Sequence, residues 1–247
     1  MIYLKLFDTE SDYLAYRDGA NYLKPNVSLC DDNGDVYYNY PPPIIYDYVD
    51  LDLPSGTKWA TQNVGARKPS DAGLYFQWGD TSGYTADQVG MDDEQKRFSQ
   101  DNSDYKWYDT DKKTFTKYTT FGATLEIEDD AAHVNMGGDW HMPTPNQFQE
   151  LLNTAYTTNE WTTLDGVNGR LFTSKKDSSK SIFIPAAGYA MNGLVNSSGD
   201  VGRVWSSTLS SGYVGGGLNL YFDSGSANIG YGGLNRYNGL HVRGVIG

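Results

Sequence analysis

Cysteine and histidine are scarce, because the 247 residues contain one cysteine, Cys30, and three histidines. A single cysteine cannot form an internal disulfide, and no Cys/His spacing typical of a zinc site occurs. His133 and His141 flank a Gly-Gly-Asp-Trp stretch, but no cysteine or serine stands near them in the pattern of a nucleophile and its base. The sequence therefore predicts no catalytic residue, no metal site and no cofactor, and it favours structural roles for both histidines.

An excess of basic residues and long apolar runs are missing as well. The formal net charge is -12, which opposes binding to a nucleic-acid backbone or an anionic membrane surface. Nowhere do eighteen apolar residues occur together, and the opening MIYLKLFDTESDY has no basic leader followed by an apolar run. We therefore expect no nucleic-acid partner and no direct membrane insertion, and no signal peptide is visible.

Aromatic residues are plentiful, with six Trp, twenty Tyr and nine Phe, so the chain can bury a sizeable core without disulfides. MIYLKLF has the composition of a strand, and a helix is expected from Thr9 to the stop at Lys24-Pro25. Pro41-Pro42-Pro43 forms a stiff connection. These signals predict a small N-terminal α/β unit at residues 1–46, for virion or assembly attachment, and a main domain at residues 47–247.

Two helices are expected in the main domain. In TPNQFQELLNTA, Thr144 caps the helix, Pro145 takes the first helical position and Gln147 closes a capping box. Phe148, Leu151, Leu152 and Ala155 form its apolar face. A shorter helix is predicted from Glu126 to Asn135, with an acidic first turn and a stop at Gly137-Gly138.

After Arg170, short β-type runs alternate with turns rich in Gly, Ser and Asn. Leu218, Leu220 and Phe222 repeat with a period of two, so Asn219 and Tyr221 should face the opposite side of their strand. Two helices followed by a strand-rich second half predict an α+β domain.

Several motifs carry little weight. Asp31-x-Asn33-x-Asp35 begins like a calcium loop, but its glycine comes one residue early and Pro42 stands where the bidentate acid belongs. The acids from Glu126 to Asp130 suit the first turn of a helix without a metal. Gly215-Gly216-Gly217 and the glycines around Tyr231 open no helix, so they lack the dipole of a phosphate cradle.

The segment from Ala186 to Gly247 differs in composition from the rest. It holds fifteen Gly, eight Ser, six Asn and five Tyr, and it has neither Lys nor Glu. Two Asp against three Arg give it a charge of +1, which leaves -13 for the remainder of the chain. A meander with tight turns explains the glycines, but the missing Lys and Glu favour a binding surface of the kind formed by antibody loops.

Six motifs in a fixed order resemble the FISUMP-type domains, the Fibrobacter succinogenes major paralogous domain family. They are VDLDLPSGTKWATQNVGA, YFQWGD, EDDAAHVNMGGDWHMPTPNQFQELL, SIFIPAAGY, VWSST and LYFDSG, and they cover about Tyr48 to Val245. The resemblance implies a C-type-lectin-like fold. The sequence departs from the family pattern at Gln62, Met136, His141 and Gly244, where the family often has Cys, Trp, Arg and Pro, respectively.

Formylglycine-generating enzymes share this broad fold, but their oxidase activity depends on paired cysteines. Cys30 lies outside the matching domain, so the resemblance does not extend to that activity. The N-terminal unit more loosely resembles the leader of virion proteins from Bacteroides phages.

The chain also resembles the variable proteins of diversity-generating retroelements, which place a binding site late in a C-type-lectin-like domain. Their variation at asparagine-type codons yields residues such as Asn, Tyr, Ser and Gly, but never Lys or Glu. The resemblance implies scaffold residues at Trp205, Leu220 and Phe222. It implies display positions at Ala190, Asn192, Leu194, Asn196, Val204, Ser210, Tyr213, Val214, Gly216, Asn219, Asn228, Gly230, Tyr231, Gly232, Leu234, Asn235 and Tyr237, with the three tyrosines as anchors.

Three functions remain open at this point. The first is a non-enzymatic receptor-binding protein or adhesin, on a phage tail or a bacterial surface, that holds a protein or glycan of a bacterial surface. The second is a structural subunit whose C-terminal surface is an assembly interface, in a homo-oligomer or a virion. The third is a glycan-cleaving enzyme, which needs a pair of facing carboxylates, and Asp200 and Asp223 have no motif support for that role.

Overall fold

A computed structural model describes the backbone of residues 3–5, 28–30 and 36–40, and residues 44–89, 98, 101–230 and 233–247 in full. The chain divides into two compact units, Met1–Ile45 and Tyr46–Gly247. The division lies one residue from the expected boundary. Tyr46 belongs to the second unit because its phenol oxygen accepts a hydrogen bond from the backbone N–H of Gly65 at 2.8 Å.

The first unit contains a three-stranded antiparallel sheet. Its strands are β1 (Tyr3–Lys5), β2 (Ser28–Cys30) and β3 (Val36–Tyr40), in the spatial order β1-β3-β2. The first strand falls within MIYLKLF, as predicted. The helix expected from Thr9 and the calcium-like Asp31–Asp35 segment lie outside the described residues.

The second unit is an α+β domain in which strands predominate. Its described helices are α1 (Ala131–Met136) and α2 (Pro145–Leu152), with short 3-10 helices at Ala86–Gln88 and Ile127–Asp129. None of the helices within the described residues is long and apolar enough to cross a membrane. The strands before α1 are β4 (Tyr48–Asp50), β5 (Lys58–Ala60), β6 (Tyr108–Asp109) and β7 (Thr114–Phe115). The strands directly after α2 are β8 (Thr157–Leu164), β9 (Val167–Ser174) and β10 (Ser181–Pro185). The C-terminal strands are β11 (Tyr189–Met191), β12 (Leu194–Asn196), β13 (Gly202–Leu209), β14 (Gly216–Phe222), β15 (Ala227–Ile229), β16 (Leu234–Asn235) and β17 (Val245–Ile246).

The two ends of this domain meet on one strand. β4 and β17 both pair antiparallel with β5, and Trp59 of β5 stands opposite Val49 on one side and Val245 on the other. β5 therefore pairs locally with β4 and over a long sequence separation with β17, so the last residues of the chain help to close the domain.

Helix α2 confirms the prediction from its capping signals. Thr144 Oγ1 accepts from Gln147 N, and Gln147 Oε1 accepts from Thr144 N at 2.8 Å. Phe148 and Leu151 are buried. The predicted apolar face is wrong at Ala155, because the helix ends at Leu152 and Ala155 is exposed beyond it.

The helix predicted from Glu126 to Asn135 is wrong in its first turn. Residues Ile127–Asp129 form a 3-10 turn, and α1 begins only after Asp130. Asp130 is the N-cap and accepts hydrogen bonds from the backbone N–H groups of Ala132, His133 and Met142. The acidic residues therefore form the 3-10 turn and the N-cap of α1 instead of its first turn. Gly137 ends the helix as expected, with φ of 73°.

An ion cluster fixes the polar excursion before α1. Asp129 is buried and accepts from Lys117 Nζ at 2.6 Å and from the Tyr118 hydroxyl at 2.6 Å, with Lys106 Nζ at 3.4 Å. Burial opposes ionisation of Asp129, but the bonds from Lys117 and Tyr118 outweigh it and lower its pKa. A segment without periodicity in the sequence is therefore held by side-chain contacts that no local pattern reveals.

The sheet formed by β13, β14, β15 and β16 is buried on both faces over most of its length. One face places Val204, Leu220 and Phe222 in a core with Phe148 of α2. The other places Trp205 in a second core with Trp78. Each indole donates a hydrogen bond to the chain segment that carries the other indole. Trp205 Nε1 donates to Phe76 O at 2.7 Å, and Trp78 Nε1 donates to Ser206 O at 2.8 Å.

His241 lies beside β13, where it forms an isolated parallel bridge with Val204, and it is buried. Its Nδ1 is 3.2 Å from Leu74 O, and its ring packs against Tyr75 with centroids 4.3 Å apart. Burial lowers its pKa to about 4, with a smaller contribution from nearby Arg243. The folded protein therefore holds this imidazole neutral over a pH range in which the unfolded chain binds a proton.

The free energy of unfolding is expected to fall as the pH drops from about 6.5 to 4, by about 3 kcal/mol from this residue. The sign follows because the folded pKa lies below the unfolded one, so the stabilisation is complete above the unfolded pKa and is lost towards the folded pKa. His241→Asn keeps a donor towards Leu74 but removes the titration. Urea unfolding at several pH values should show a shallower acid loss for the variant, and equal slopes for the two proteins would contradict the assignment.

Candidate binding surface

Five of the predicted display positions are wrong, because their residues are buried: Ala190, Val204, Ser210, Gly216 and Asn219. Ala190 lies on the inner face of β11, in a small core with Tyr75 and Phe98. Val204 faces the main core beside Leu220. These positions cannot contact a ligand without unfolding part of the domain.

The other three positions are Asn219, which the second core covers, and Ser210 and Gly216, which lie where two backbone segments pack closely together. Asn219 stands opposite Trp205, on the side that the second core covers. Ser210 and Gly216 are hydrogen-bonded to each other through their backbones, and a Cβ at Gly233 would approach both within about 3 Å. The alternation of β14 was predicted correctly, but cores on both sides of the strand bury all of its residues except Tyr221, which is partly exposed.

The hairpin of β11 and β12 carries an outward face. Asn192 and Gly193 connect the strands with φ of 59° and 68°, the positive values of a two-residue type I′ turn. Strand register places Met191 opposite Leu194. The face opposite Ala190 carries Tyr189, Met191, Leu194 and Asn196; Leu194 is 63% exposed, Asn192 is exposed at the turn, and Tyr189 is partly buried against the second core.

The neighbouring sheet continues this face at its open end. Arg203 of β13, Tyr221 of β14 and Asn228 of β15 stand side by side in register. The Arg203 guanidinium lies 5.2 Å from the ring centroid of Tyr189 and 4.8 Å from that of Tyr221, so it joins the hairpin to the sheet. We call this face the outward strip: Tyr189, Met191, Leu194, Asn196, Arg203, Tyr221 and Asn228.

Arg203 is held in place by neutral groups. Its Nη1 donates to Asn219 Oδ1 at 3.2 Å, and its buried Nε has no hydrogen-bond partner. Burial lowers the pKa of Arg203, and the adjacent Tyr189 and Tyr221 partly offset this. Asn219 therefore positions the arginine from below instead of displaying its own side chain.

Tyr221 is fixed by an acid at the end of the strip. Its hydroxyl donates to Asp223 Oδ2 at 2.6 Å, and Asp223 Oδ1 accepts from the backbone N–H groups of Gly225 and Ser226. The bond from Tyr221 and these two backbone bonds lower the pKa of Asp223 to about 2. The Asp223 carboxylate therefore accepts its hydrogen bonds from Tyr221 and from its own turn, and it fixes the Tyr221 ring that packs against Arg203.

A second group of predicted positions forms the Tyr213 patch, which comprises Tyr213, Asn235 and Tyr237. Tyr213 is 47% exposed, and its ring packs so closely over Gly215 that a Cβ there would lie 2.4 Å from its Cζ. Asn235 Nδ2 donates to the Tyr237 hydroxyl at 2.7 Å. Val214 and Leu234 are partly buried against the second core, and Gly230 is partly buried beside Asn219. Tyr231 and Gly232 lie outside the described residues.

The positive charge counted in this segment is mostly internal. Arg236 and Arg243 are both fully buried. Arg236 donates to the carbonyls of Lys117 and Tyr118, and Arg243 donates to Asn63, Ala60 and Phe183. Arg203 is therefore the arginine of this segment that reaches the surface, and the +1 charge does not describe the binding face.

Sequence reasoning missed four residues of the strip: Tyr189, Met191, Arg203 and Tyr221. The Asn192-Gly193 dipeptide between two short apolar runs could have located the first two, since it is a hairpin signal. Composition favoured Asn and Gly over them. Arg203 is set by the pairing of three strands and the approach of β11, which no local pattern contains.

A shallow cleft of about 370 Å³ lies between the β8–β9 turn and the segments around Ala187 and Ser198. Its lining residues carry no ionisable side chain, so it offers no acid or base. Across residues 44–89, 98, 101–230 and 233–247, no three His, Cys, Asp or Glu side chains are grouped to hold a metal ion.

Comparison of the chain with profiles of known protein families, with curated proteins and with solved structures finds no match.

Proposed function

We propose that the protein is a non-enzymatic binding protein that uses the outward strip to hold a ligand on a bacterial surface. The observation that carries the proposal is Arg203, a half-buried cation stacked between two tyrosines and continuous with the exposed Leu194. Arg, Tyr and Met are the residue types enriched at protein interfaces, whereas Lys and Glu, absent from this segment, are depleted there.

Rigidity supports this proposal. The hairpin is anchored by Ala190 in one core, and the sheet is anchored by Leu220 and Trp205 in two others. The side chains of the strip therefore lose little freedom when they contact a partner. A binding face built on strands keeps its shape while the outward residues vary.

The finer identity is also a proposal. A C-type-lectin-like domain of FISUMP type, on a phage tail or a cell surface, accords with two helices followed by a strand-rich half whose last strand, β17, pairs with β5 near the start of the domain. Retroelement diversification would act at the solvent-facing positions Asn192, Leu194, Asn196, Tyr213, Asn228, Asn235 and Tyr237. A reverse transcriptase gene and a near-copy of the gene's 3′ end, differing only at adenines, would test this in the neighbouring DNA.

Leu194→Lys is expected to lower capture by bacterial cells at least tenfold, because it places a hydrated charge in the middle of the contact face. Fluorescently labelled protein would be incubated with a panel of bacterial isolates and bound protein measured by flow cytometry. Leu164→Lys is the matched control, since Leu164 is an exposed leucine at the β8–β9 turn.

Both variants should unfold at the wild-type temperature, because neither side chain is in a core. Capture that Leu164→Lys preserves and Leu194→Lys removes supports the proposal. Equal capture by all three proteins, or no capture by any isolate, would contradict it.

An assembly interface is the second candidate, and the 63% exposure of Leu194 is the observation that favours it. An exposed leucine at the centre of the outward strip suits packing against another subunit as well as against a ligand. Sedimentation velocity over a wide concentration range distinguishes the two. A concentration-dependent oligomer that Leu194→Lys dissociates would favour assembly over ligand binding.

A further inference from the structure

We infer that Arg203 is a carboxylate subsite, and that the ligand is a protein that presents an Asp or Glu side chain there and an apolar side chain against Met191 and Leu194. The inference rests on the proposed function and specifies the partner chemistry of the same surface.

The first step is that Arg203 lacks a counter-ion. Among the described residues, ion pairs hold Lys68, Lys106, Lys112, Lys117 and Lys180, but none holds Arg203. Asp223, which follows β14, is already hydrogen-bonded to Tyr221, Gly225 and Ser226. A partly desolvated guanidinium with a neutral partner gains most from an incoming anion.

The second step is orientation. Tyr189 and Tyr221 lie against the guanidinium, and Asn219 binds Nη1, so the group is fixed before a ligand arrives. Nη2 has no acceptor among the described residues and, unlike Nε, is not enclosed, so it can donate to an oxygen of an incoming carboxylate. Nε is enclosed without an acceptor, so the charge of the guanidinium is poorly compensated in the free protein.

The third step selects the partner. Met191 follows Tyr189 by two residues on the same face of β11, about 7 Å along the strand. An acidic residue at Arg203 and its apolar neighbour in a peptide can reach both places at once. An acidic glycan could engage Arg203, but it offers no aliphatic side chain for the exposed Leu194.

The test uses two capped dipeptides, acetyl-Glu-Leu-amide and acetyl-Gln-Leu-amide, titrated at constant ionic strength. The readout is the Nε–H resonance of Arg203 in protein labelled with ¹⁵N-arginine, assigned by its loss in Arg203→Gln. We expect the Glu peptide to bind about tenfold more tightly than the Gln peptide, because a charge-assisted pair replaces a neutral one. Glucuronate is the third probe and represents an acidic sugar.

Arg203→Lys keeps the charge but loses the planar guanidinium that Tyr189 and Tyr221 orient, so it should bind the Glu peptide several-fold more weakly than the wild type, with the Gln peptide unchanged. Equal affinities for Glu and Gln peptides, or no response of the Arg203 resonance at millimolar concentrations, would overturn the carboxylate subsite. Tighter binding of glucuronate than of the Glu peptide would overturn the protein partner. In either case, cell capture that depends on Leu194 would still stand, so the two proposals fail separately.

Discussion

Gly202→Ala is expected to lower the free energy of unfolding by about 3 kcal/mol or to prevent folding. A Cβ at this position would lie 1.9 Å from Cζ of Phe222, which is fully buried and stands directly opposite on β14. Phe222 cannot retreat, because it fills the main core. Urea denaturation of the variant should therefore show a much lower midpoint than that of the wild type.

Gly212→Ala is the matched control for this prediction. Gly212 is exposed in the same glycine-rich segment, and a Cβ there would meet no atom within 4 Å. The control should be neutral or slightly stabilising, since alanine reduces the freedom of the unfolded chain. If the two variants unfolded alike, the glycines of this segment would be loop residues rather than packing residues.

Trp205→Ala is expected to cost about 3–5 kcal/mol, the usual range for removing a large buried aromatic residue. The indole is completely buried beside Trp78, and the change also removes one of the two hydrogen bonds to the Phe76 carbonyl, which keeps its bond from the Leu240 N–H. Thermal and urea unfolding would measure the loss.

Trp205→Phe separates the two contributions. It keeps most of the apolar contact but removes the indole N–H, so we expect a smaller loss of about 1–3 kcal/mol, from the lost hydrogen bond and the smaller ring. A phenylalanine variant as unstable as the alanine variant would contradict a main contribution from apolar contact, because the two variants share only the loss of the indole and its N–H.

The elements that the sequence predicted well are those whose signals are local. Helix α2 follows from Thr144, Pro145 and Gln147, all within one turn. Trp205, Leu220 and Phe222 are buried as expected, because alternation within a strand needs only the strand itself. The α+β class follows from the order of such segments.

The errors arise where distant segments meet. Asp130 caps α1 and also accepts a hydrogen bond from the Met142 N–H. The second contact is with a residue beyond the helix, and the acidic run alone does not reveal it. Asn219 is polar and follows Leu218, but the core around Trp205 and Trp78 covers its side of the strand. A composition-based choice of display positions therefore includes residues that a second core buries.

The candidate surface was predicted only in part, because some of its residues are brought together by contacts between distant segments. Leu194 and Asn228, two of the display positions that the resemblance implied, are exposed. Arg203 and Tyr189 come together only through the approach of β11 to β13 at Gly188 and Gly202. The cation that we place at the centre of binding is therefore a product of tertiary structure.

Hydroxyl-radical footprinting of protein captured on bacterial cells tests the central claim most directly. Tyr189, Met191, Leu194 and Tyr221 have oxidisable side chains on the outward strip, while exposed Tyr48 and Ile127 lie on other elements and serve as internal controls. The account predicts that capture protects the strip residues from oxidation and leaves Tyr48 and Ile127 as reactive as in free protein. Unchanged oxidation of the strip, with protection of Tyr213 or of the two controls, would contradict it.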